Sequence, residues 1–143
     1  MTWQARLIGP EEKKEFNKFT AKGPKGHILQ SYEWGEIKAL TGWKPLRLVI
    51  EEDGQIVAAL SILKRKIPVI KKAIFYAPRG PVVDTTNTEL MDFLWAETRK
   101  LAQKHGAIML KIDPDISIKN QDFIHYFKKT GFKPVGTGEG FEG

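Results

Sequence analysis

Two short segments of this chain place cations beside aromatic residues. Segment 30–38 (QSYEWGEIK) holds Trp34 and Lys38, and segment 76–84 (YAPRGPVVD) holds Tyr76, Arg79 and Asp84. A lysine ammonium binds phosphate as a point charge, and an arginine guanidinium offers a planar fork that suits diphosphate or carboxylate. In a functional role, these residue types could therefore bind a phosphate or a carboxylate.

The spacing of Trp34 and Lys38 allows two interpretations. On a helix, residues four apart are neighbours, so the ammonium lies beside the indole and the ring limits its mobility. In the structural alternative, Trp34, Ile37 and Thr41 face the core and Lys38 is a solvated edge residue. Exposed helix lysines are common, so spacing alone favours the structural alternative.

A bend between Arg79 and Asp84 is predicted from Gly80 and Pro81. Glycine accepts backbone angles that other residues avoid, and proline fixes φ near about −65°. In a structural role, Arg79 and Asp84 form an ion pair that fixes the bend, or Asp84 forms a turn before the following helix. Tyr76 is either a core ring with a hydrogen-bonded hydroxyl or the wall of a cleft. The residues alone favour the structural roles.

Composition bounds the possible functions. The chain has 143 residues, enough for one domain, and a formal net charge of +6. Such an excess of positive charge favours anionic partners, such as phosphates, nucleic acid or an acidic membrane surface. The absence of cysteine excludes disulfides, thiolate nucleophiles and cysteine metal sites, and fits a reducing cytoplasm. Three scattered histidines give no spacing typical of a metal site.

The elements that position these residues follow from periodicity and turn signals. Alternation predicts strands at 3–8, 73–76, 106–112 and near 133. Apolar periodicity and capping residues predict helices at 10–22, from 31 to 42, after 86 and around 123–127. The two-residue turn Asp53-Gly54 predicts a hairpin of strands 43–52 and 55–64. Thr86 and Glu89 have the spacing of a capping box. The glycine-rich tail 136–143 shows no pattern typical of a helix or strand. This order predicts an α+β fold with a mixed, mostly antiparallel sheet flanked by helices.

A basic cluster surrounds the apolar segment 67–70. Residues 64–66 (KRK) precede it, and Lys71 and Lys72 follow it. An exposed loop of this composition could contact anionic lipid or the backbone of a tRNA. Lysines that protect the solvated edge of a hairpin would give the same pattern, and this alternative is favoured.

The two segments, their order and their spacing resemble the N-terminal part of the FemABX family, whose members transfer amino acids from aminoacyl-tRNA onto peptidoglycan precursors. The hairpin that ends in a basic segment and the closing Gly131-Phe132 add to the resemblance. Such proteins contain two GNAT-like lobes (the fold of acyl-CoA N-acyltransferases), and this chain is similar to the first. The resemblance implies one GNAT-like lobe over residues 1–135, followed by a glycine-rich tail, 136–143, that stops before a second lobe.

The resemblance also implies a function and a site. The expected ligand is a UDP-linked or lipid-linked muropeptide, with aminoacyl-tRNA as co-substrate, no cofactor and no metal. The residues implied in precursor binding are Trp34, Lys38, Tyr76, Arg79, Gly80 and Asp84. The implied location is the cytoplasm, with contact to the inner face of an anionic membrane as a further option.

Two other functions remain open from the sequence. Residues 133–138 (KPVGTG) resemble the pyrophosphate loop of GNAT acetyltransferases, although lysine replaces glutamine or arginine and the segment follows a late helix. This weak match allows an acyl-CoA-dependent N-acyltransferase. The basic hairpin alone allows a non-catalytic module that binds RNA or a membrane.

Overall fold

The computed structural model describes residues 2–21, 30–78, 81–84, 86–113, 126, 133–135 and 140–142. The elements in these residues, with a 3₁₀ turn at Pro10–Glu12 before the first helix, are β1 (Trp3–Leu7), α1 (Lys13–Ala21), α2 (Tyr32–Ala39), β2 (Lys44–Glu52), β3 (Gln55–Lys66), β4 (Ala73–Pro78), β5 (Val82–Val83), α3 (Thr88–Lys104), β6 (Ala107–Asp113), β7 (Lys133–Val135) and β8 (Gly140–Glu142). None of the helices in this part of the chain is long and apolar enough to span a bilayer.

A single mixed sheet organises the described residues. Its strand order is β1-β2-β3-β4-β6-β8-β7, and β5 pairs with β3 next to β4. The pairs are antiparallel except for β4 with β6, which are parallel and are joined through α3. This arrangement confirms the predicted α+β fold with a mostly antiparallel sheet.

The hairpin of β2 and β3 forms the centre of the sheet. Asp53 and Gly54 have φ values of 52° and 78°, which is the left-handed geometry of a type I′ turn. Leu46, Leu48 and Ile50 alternate along β2, so one face of the strand can be buried continuously. The predicted hairpin is confirmed.

Helices cover the sheet on both faces. On one face, α3 contributes Leu90, Met91, Leu94 and Trp95 to the larger apolar core. On the other face, Phe16 of α1 and Tyr32 of α2 pack with the second apolar cluster, which includes Val49. The two faces of β2 and β3 therefore serve different helices, and the candidate site lies on the face of α1 and α2.

Three predictions about the elements are wrong. Asn87, not Thr86, caps α3, since its side chain accepts a hydrogen bond from Leu90 N at 3.1 Å and the Thr86 hydroxyl is bound elsewhere. The tail contains a strand, β8, which pairs with β6 and β7. The lysines of β3 do not protect a sheet edge, because β3 lies between β2 and β4. The helix predicted around residues 123–127 falls mostly outside the described residues.

Candidate functional site

Helix α2 presents Lys38 beside Trp34, as the spacing predicts. Ser31 caps the helix by accepting a hydrogen bond from Trp34 N at 3.2 Å. Lys38 is half-buried, and its Nζ lies 5.8 Å from the centroid of the Trp34 ring, within cation–π range. The structural alternative is wrong in placing Ile37 and Thr41 in the core, because Ile37 is 53% exposed and Thr41 is exposed.

Arg47 of β2 anchors α2 to the sheet. Its guanidinium donates to Tyr32 O and to Glu36 Oε2, both at 2.9 Å, and its Cζ lies 3.4 Å from the centroid of the Tyr32 ring. The side chain is buried beneath Gly35, where a Cβ atom would lie 2.6 Å from Arg47 Nη2. Sequence reasoning missed Arg47. Side chains alternate between the two faces of a strand, so Arg47, which lies between Leu46 and Leu48, must face the opposite side, where α2 packs.

The indole nitrogen of Trp34 is a buried donor. No group in the described part of the chain accepts a hydrogen bond from its Nε1. Buried donors in proteins are nearly always paired, so an unpaired one needs an explanation. A buried water can supply the acceptor, whereas a ligand on the surface does not reach this nitrogen.

A second group of cations and aromatic rings extends from the residue before β2 across β3, β4 and β6. We call it the aromatic–cation row, and it consists of Trp43, Arg65, Tyr76 and Lys111. The register places Tyr76 of β4 level with Lys111 of β6, and Lys111 Nζ lies 5.5 Å from the Tyr76 ring centroid. The Tyr76 and Trp43 centroids are 6.4 Å apart, and Arg65 Cζ lies 4.2 Å from the Trp43 centroid. Lys111 and Arg65 are exposed, so the charges of the row face solvent.

The turn after α2 joins the Trp34–Lys38 pair to this row. Trp43 N donates to Lys38 O at 3.3 Å, and Arg65 Nη2 donates to Thr41 O at 2.9 Å. Gly42, with φ of 92°, lets the chain turn sharply between these contacts. Trp43 therefore contacts Tyr76 through its ring and Lys38 through its backbone, which links Lys38 and Tyr76 of the predicted site through one intervening residue. Sequence reasoning gave no role to Trp43 or Lys111, because their proximity to Tyr76 depends on long-range strand register.

Asp84 lies apart from the row. Tyr76 is paired with Leu63, whereas Val83 is paired with Ala58, so the two positions are separated by about 17 Å along β3 at 3.3 Å per residue. Asp84 is exposed and accepts hydrogen bonds from Thr86 Oγ1 at 2.7 Å and from Thr86 N at 3.0 Å. The bond from the Thr86 hydroxyl, followed by that from its backbone, lowers the pKa of Asp84 below its usual value. This geometry is that of the turn-forming alternative; Arg79 and Gly80 fall outside the described residues.

Gln30 connects the two segments that carry the predicted site. Its fully buried carboxamide donates to Pro78 O at 2.7 Å and Ser61 O at 3.2 Å, and accepts from Ser61 N at 2.9 Å. Ser61 lies between the part of β3 that pairs with β4 and the part that pairs with β5. The side chain therefore takes the place of a missing strand residue, and it holds the start of α2 against the end of β4.

Comparisons with known proteins show what the chain is similar to. The model of the FemAB family matches residues 12–132. Among curated proteins, the chain is 35% identical over 128 residues to a lipid II:glycine glycyltransferase of Staphylococcus aureus strain MRSA252, and 34% identical to that of strain N315. Each match covers 89% of this chain, which spans about 30% of the length of these relatives.

Solved structures agree in fold. The crystal structure of FemX superposes with a TM-score of 0.83 at 31% identity, covering 93% of this chain and 33% of that one. A GNAT family acetyltransferase from Brucella melitensis, solved with acetyl-CoA, has a TM-score of 0.64 at 19% identity over 96% of this chain and 89% of its own. The second likeness shows the fold alone, and it confirms the predicted GNAT-like architecture.

Proposed function

Since this chain belongs to the FemAB family, as its match over residues 12–132 shows, we propose that it forms the lobe that binds the peptidoglycan precursor in an aminoacyltransferase of cell-wall synthesis. The name lipid II:glycine glycyltransferase, carried by relatives at 34–35% identity, supports glycine as the transferred residue and a lipid-linked muropeptide as the acceptor. We propose aminoacyl-tRNA as the donor, with no cofactor or metal, and the cytoplasm as the location of the reaction.

The observation that carries this proposal is the placement of two groups of cations and aromatic rings, the Trp34–Lys38 pair and the aromatic–cation row, at the two ends of the turn after α2. Three exposed or half-buried cations, Lys38, Arg65 and Lys111, lie beside aromatic rings on one side of the sheet. A precursor that carries a diphosphate, a sugar and a peptide matches this mixture of charge and flat apolar surface.

The role of the lobe in the reaction is to position the acceptor. An amine of the stem peptide attacks the ester carbonyl of aminoacyl-tRNA, a C–N bond forms, and the ester C–O bond breaks. The attacking amine loses a proton, and the ribose hydroxyl of the tRNA leaves protonated. The ester is already activated, so holding both reactants in contact can supply a large part of the acceleration. Lys38, and Arg79 outside the described residues, would contact the phosphates of the precursor. The binding energy of these contacts, which lie away from the attacking amine, would hold that amine in the orientation needed for the reaction.

Titration calorimetry with the 143-residue chain tests the proposal. A UDP-linked muropeptide should bind, and Lys38→Ala should weaken binding about tenfold or more, because a hydrogen bond to a charged group contributes about 1.5–3 kcal/mol. Lys14→Ala, which removes an exposed lysine of α1, is the matched control and should bind as the parent chain does.

Two results would contradict the proposal. Equal affinity of the parent chain and Lys38→Ala for the muropeptide would remove Lys38 from the site. Binding of acetyl-CoA in place of the muropeptide would favour an acyl-CoA-dependent enzyme. Bulk tRNA serves as the polyanion control, and its binding should not depend on Lys38 more than on Lys14.

A further inference from the structure

The loop between β3 and β4, residues 67–72, exposes aliphatic side chains to solvent. Val69 is fully exposed and has φ of 76°, and Ile70 is 51% exposed. A positive φ is unfavourable for a β-branched residue, and the exposure of aliphatic side chains to water is unfavourable relative to their burial. Strain of this kind at a loop tip is a reason to look for a binding role.

A basic pocket lies directly behind this tip. The cavity, of about 260 Å³, is lined by Lys64, Lys66, Ile67, Ile70, Lys71, Lys72, Ala73 and His105. Lys64 Nζ lies 3.0 Å from His105 Nδ1, and no carboxylate is among the described residues that line the cavity. Burial, followed by the charges of neighbouring lysines, lowers the pKa of both Lys64 and His105. An anion in the pocket would relieve this crowding of cations.

The pocket is separate from the candidate site. Lys64 and Arg65 are adjacent in β3, so their side chains point to opposite faces of the sheet. Lys64 contacts His105 at the end of α3, whereas Arg65 contacts Trp43 beside α2. Edge protection does not explain the lysines either, because β3 is an interior strand. The pocket and the tip therefore need their own explanation.

We propose that the β3–β4 loop docks this protein on an anionic phospholipid bilayer, with Val69 and Ile70 entering the acyl region and a lipid phosphate entering the basic pocket. Lysines near a negative membrane surface attract it, and an apolar tip adds favourable burial. The aliphatic tip favours a bilayer over RNA, because single-stranded RNA is bound by aromatic stacking, which valine and isoleucine do not provide. This inference goes beyond the proposed function and does not rest on it.

Cosedimentation of the 143-residue chain with vesicles tests this inference. The vesicles contain phosphatidylglycerol and phosphatidylcholine, or phosphatidylcholine alone, and no peptidoglycan precursor. We expect binding to the anionic vesicles only. The double variant Lys71→Gln/Lys72→Gln should weaken it about 30-fold, given the usual contribution of each lysine near such a surface. Lys14→Gln/Lys18→Gln, which removes two exposed charges from α1, is the matched control and should bind within threefold of the parent chain.

The tip variant Val69→Ser/Ile70→Ser separates a bilayer from other anions. It keeps every charge, so it should weaken vesicle binding about tenfold or more while leaving any binding of inorganic phosphate unchanged. Vesicle binding that is unaffected by the tip variant overturns the proposal, and so does equal loss in the α1 control. Tight binding of bulk tRNA that depends on Lys71 and Lys72, without vesicle binding, would also overturn it and assign the loop to RNA. Circular dichroism confirms that each variant is folded.

Discussion

Replacing Gln30 with alanine should strongly destabilise the protein. The side chain is fully buried and makes three hydrogen bonds, two with Ser61 and one with Pro78. The variant leaves Ser61 N–H, Ser61 C=O and Pro78 C=O without their partner. Each buried polar group left unpaired costs about 1–3 kcal/mol, and water that enters the vacated space recovers part of this. We therefore expect the free energy of unfolding to fall by about 3–5 kcal/mol, a large share of the usual 5–15 kcal/mol.

Urea denaturation followed by tryptophan fluorescence measures this loss. The control is Gln55→Ala, which makes the same change at an exposed position of β3 and should alter the free energy by less than about 0.5 kcal/mol. The corresponding fall in melting temperature for Gln30→Ala is about 10–17 °C. Hydrogen exchange should also show a faster rate at the Ser61 amide, which loses its acceptor. A Gln30→Ala variant as stable as the Gln55→Ala control would refute the view that this carboxamide completes the sheet.

Three further predictions concern the elements around the site. Gly35→Ala should destabilise by about 1–3 kcal/mol in urea denaturation, because the new Cβ would lie 2.6 Å from the held guanidinium of Arg47; unchanged stability would show that the arginine moves freely. Asn87→Ala should cost about 1 kcal/mol through loss of the cap of α3, whereas Glu89→Ala, which removes the acidic partner of a capping box, should cost less than half of that; the reverse order would restore the capping box. Burial and neighbouring lysines lower the pKa of His105 below its usual 6.5, so the unfolded chain binds a proton more readily than the folded protein does. Stability should therefore fall as the pH drops below 6.5. Melting temperatures between about pH 5 and 7.5 measure this slope, which should flatten in His105→Gln.

The fold was predictable where the signal is local. Asp53-Gly54 between alternating strands specifies the central hairpin, and Ser31 caps α2 as expected. The cap of α3 was misplaced by one residue because Asn87 Oδ1 accepts the hydrogen bond from Leu90 N, while the Thr86 hydroxyl donates to Asp84 Oδ1 instead of capping the helix. The strand Gly140–Glu142 has no alternating pattern of its own and exists through its pairing with β6 and β7.

The candidate site was predictable in part. Helical spacing alone places Lys38 beside Trp34, at a Nζ-to-centroid distance of 5.8 Å. The aromatic–cation row was not predictable, because Trp43 and Lys111 are 68 residues apart in sequence and meet Tyr76 only through strand register. Spacing in the sequence also suggested that Tyr76 and Asp84 share one bend, whereas Tyr76 and Val83, the residue before Asp84, pair with positions of β3 that are about 17 Å apart.

The carboxamide of Gln30 has a consequence for how the sequence can vary. Ladder hydrogen bonds of a sheet come from the backbone, so nearly any residue type preserves them and the pairing tolerates mutation. Between β4 and β5 the same pairing with Ser61 comes from a side chain, so it depends on the identity of one residue. Glutamate cannot donate from either oxygen when ionised, and asparagine is one methylene shorter. At position 30, the pairing of the sheet therefore requires one particular side chain, whereas elsewhere in this sheet the backbone supplies the pairing whatever the residue type.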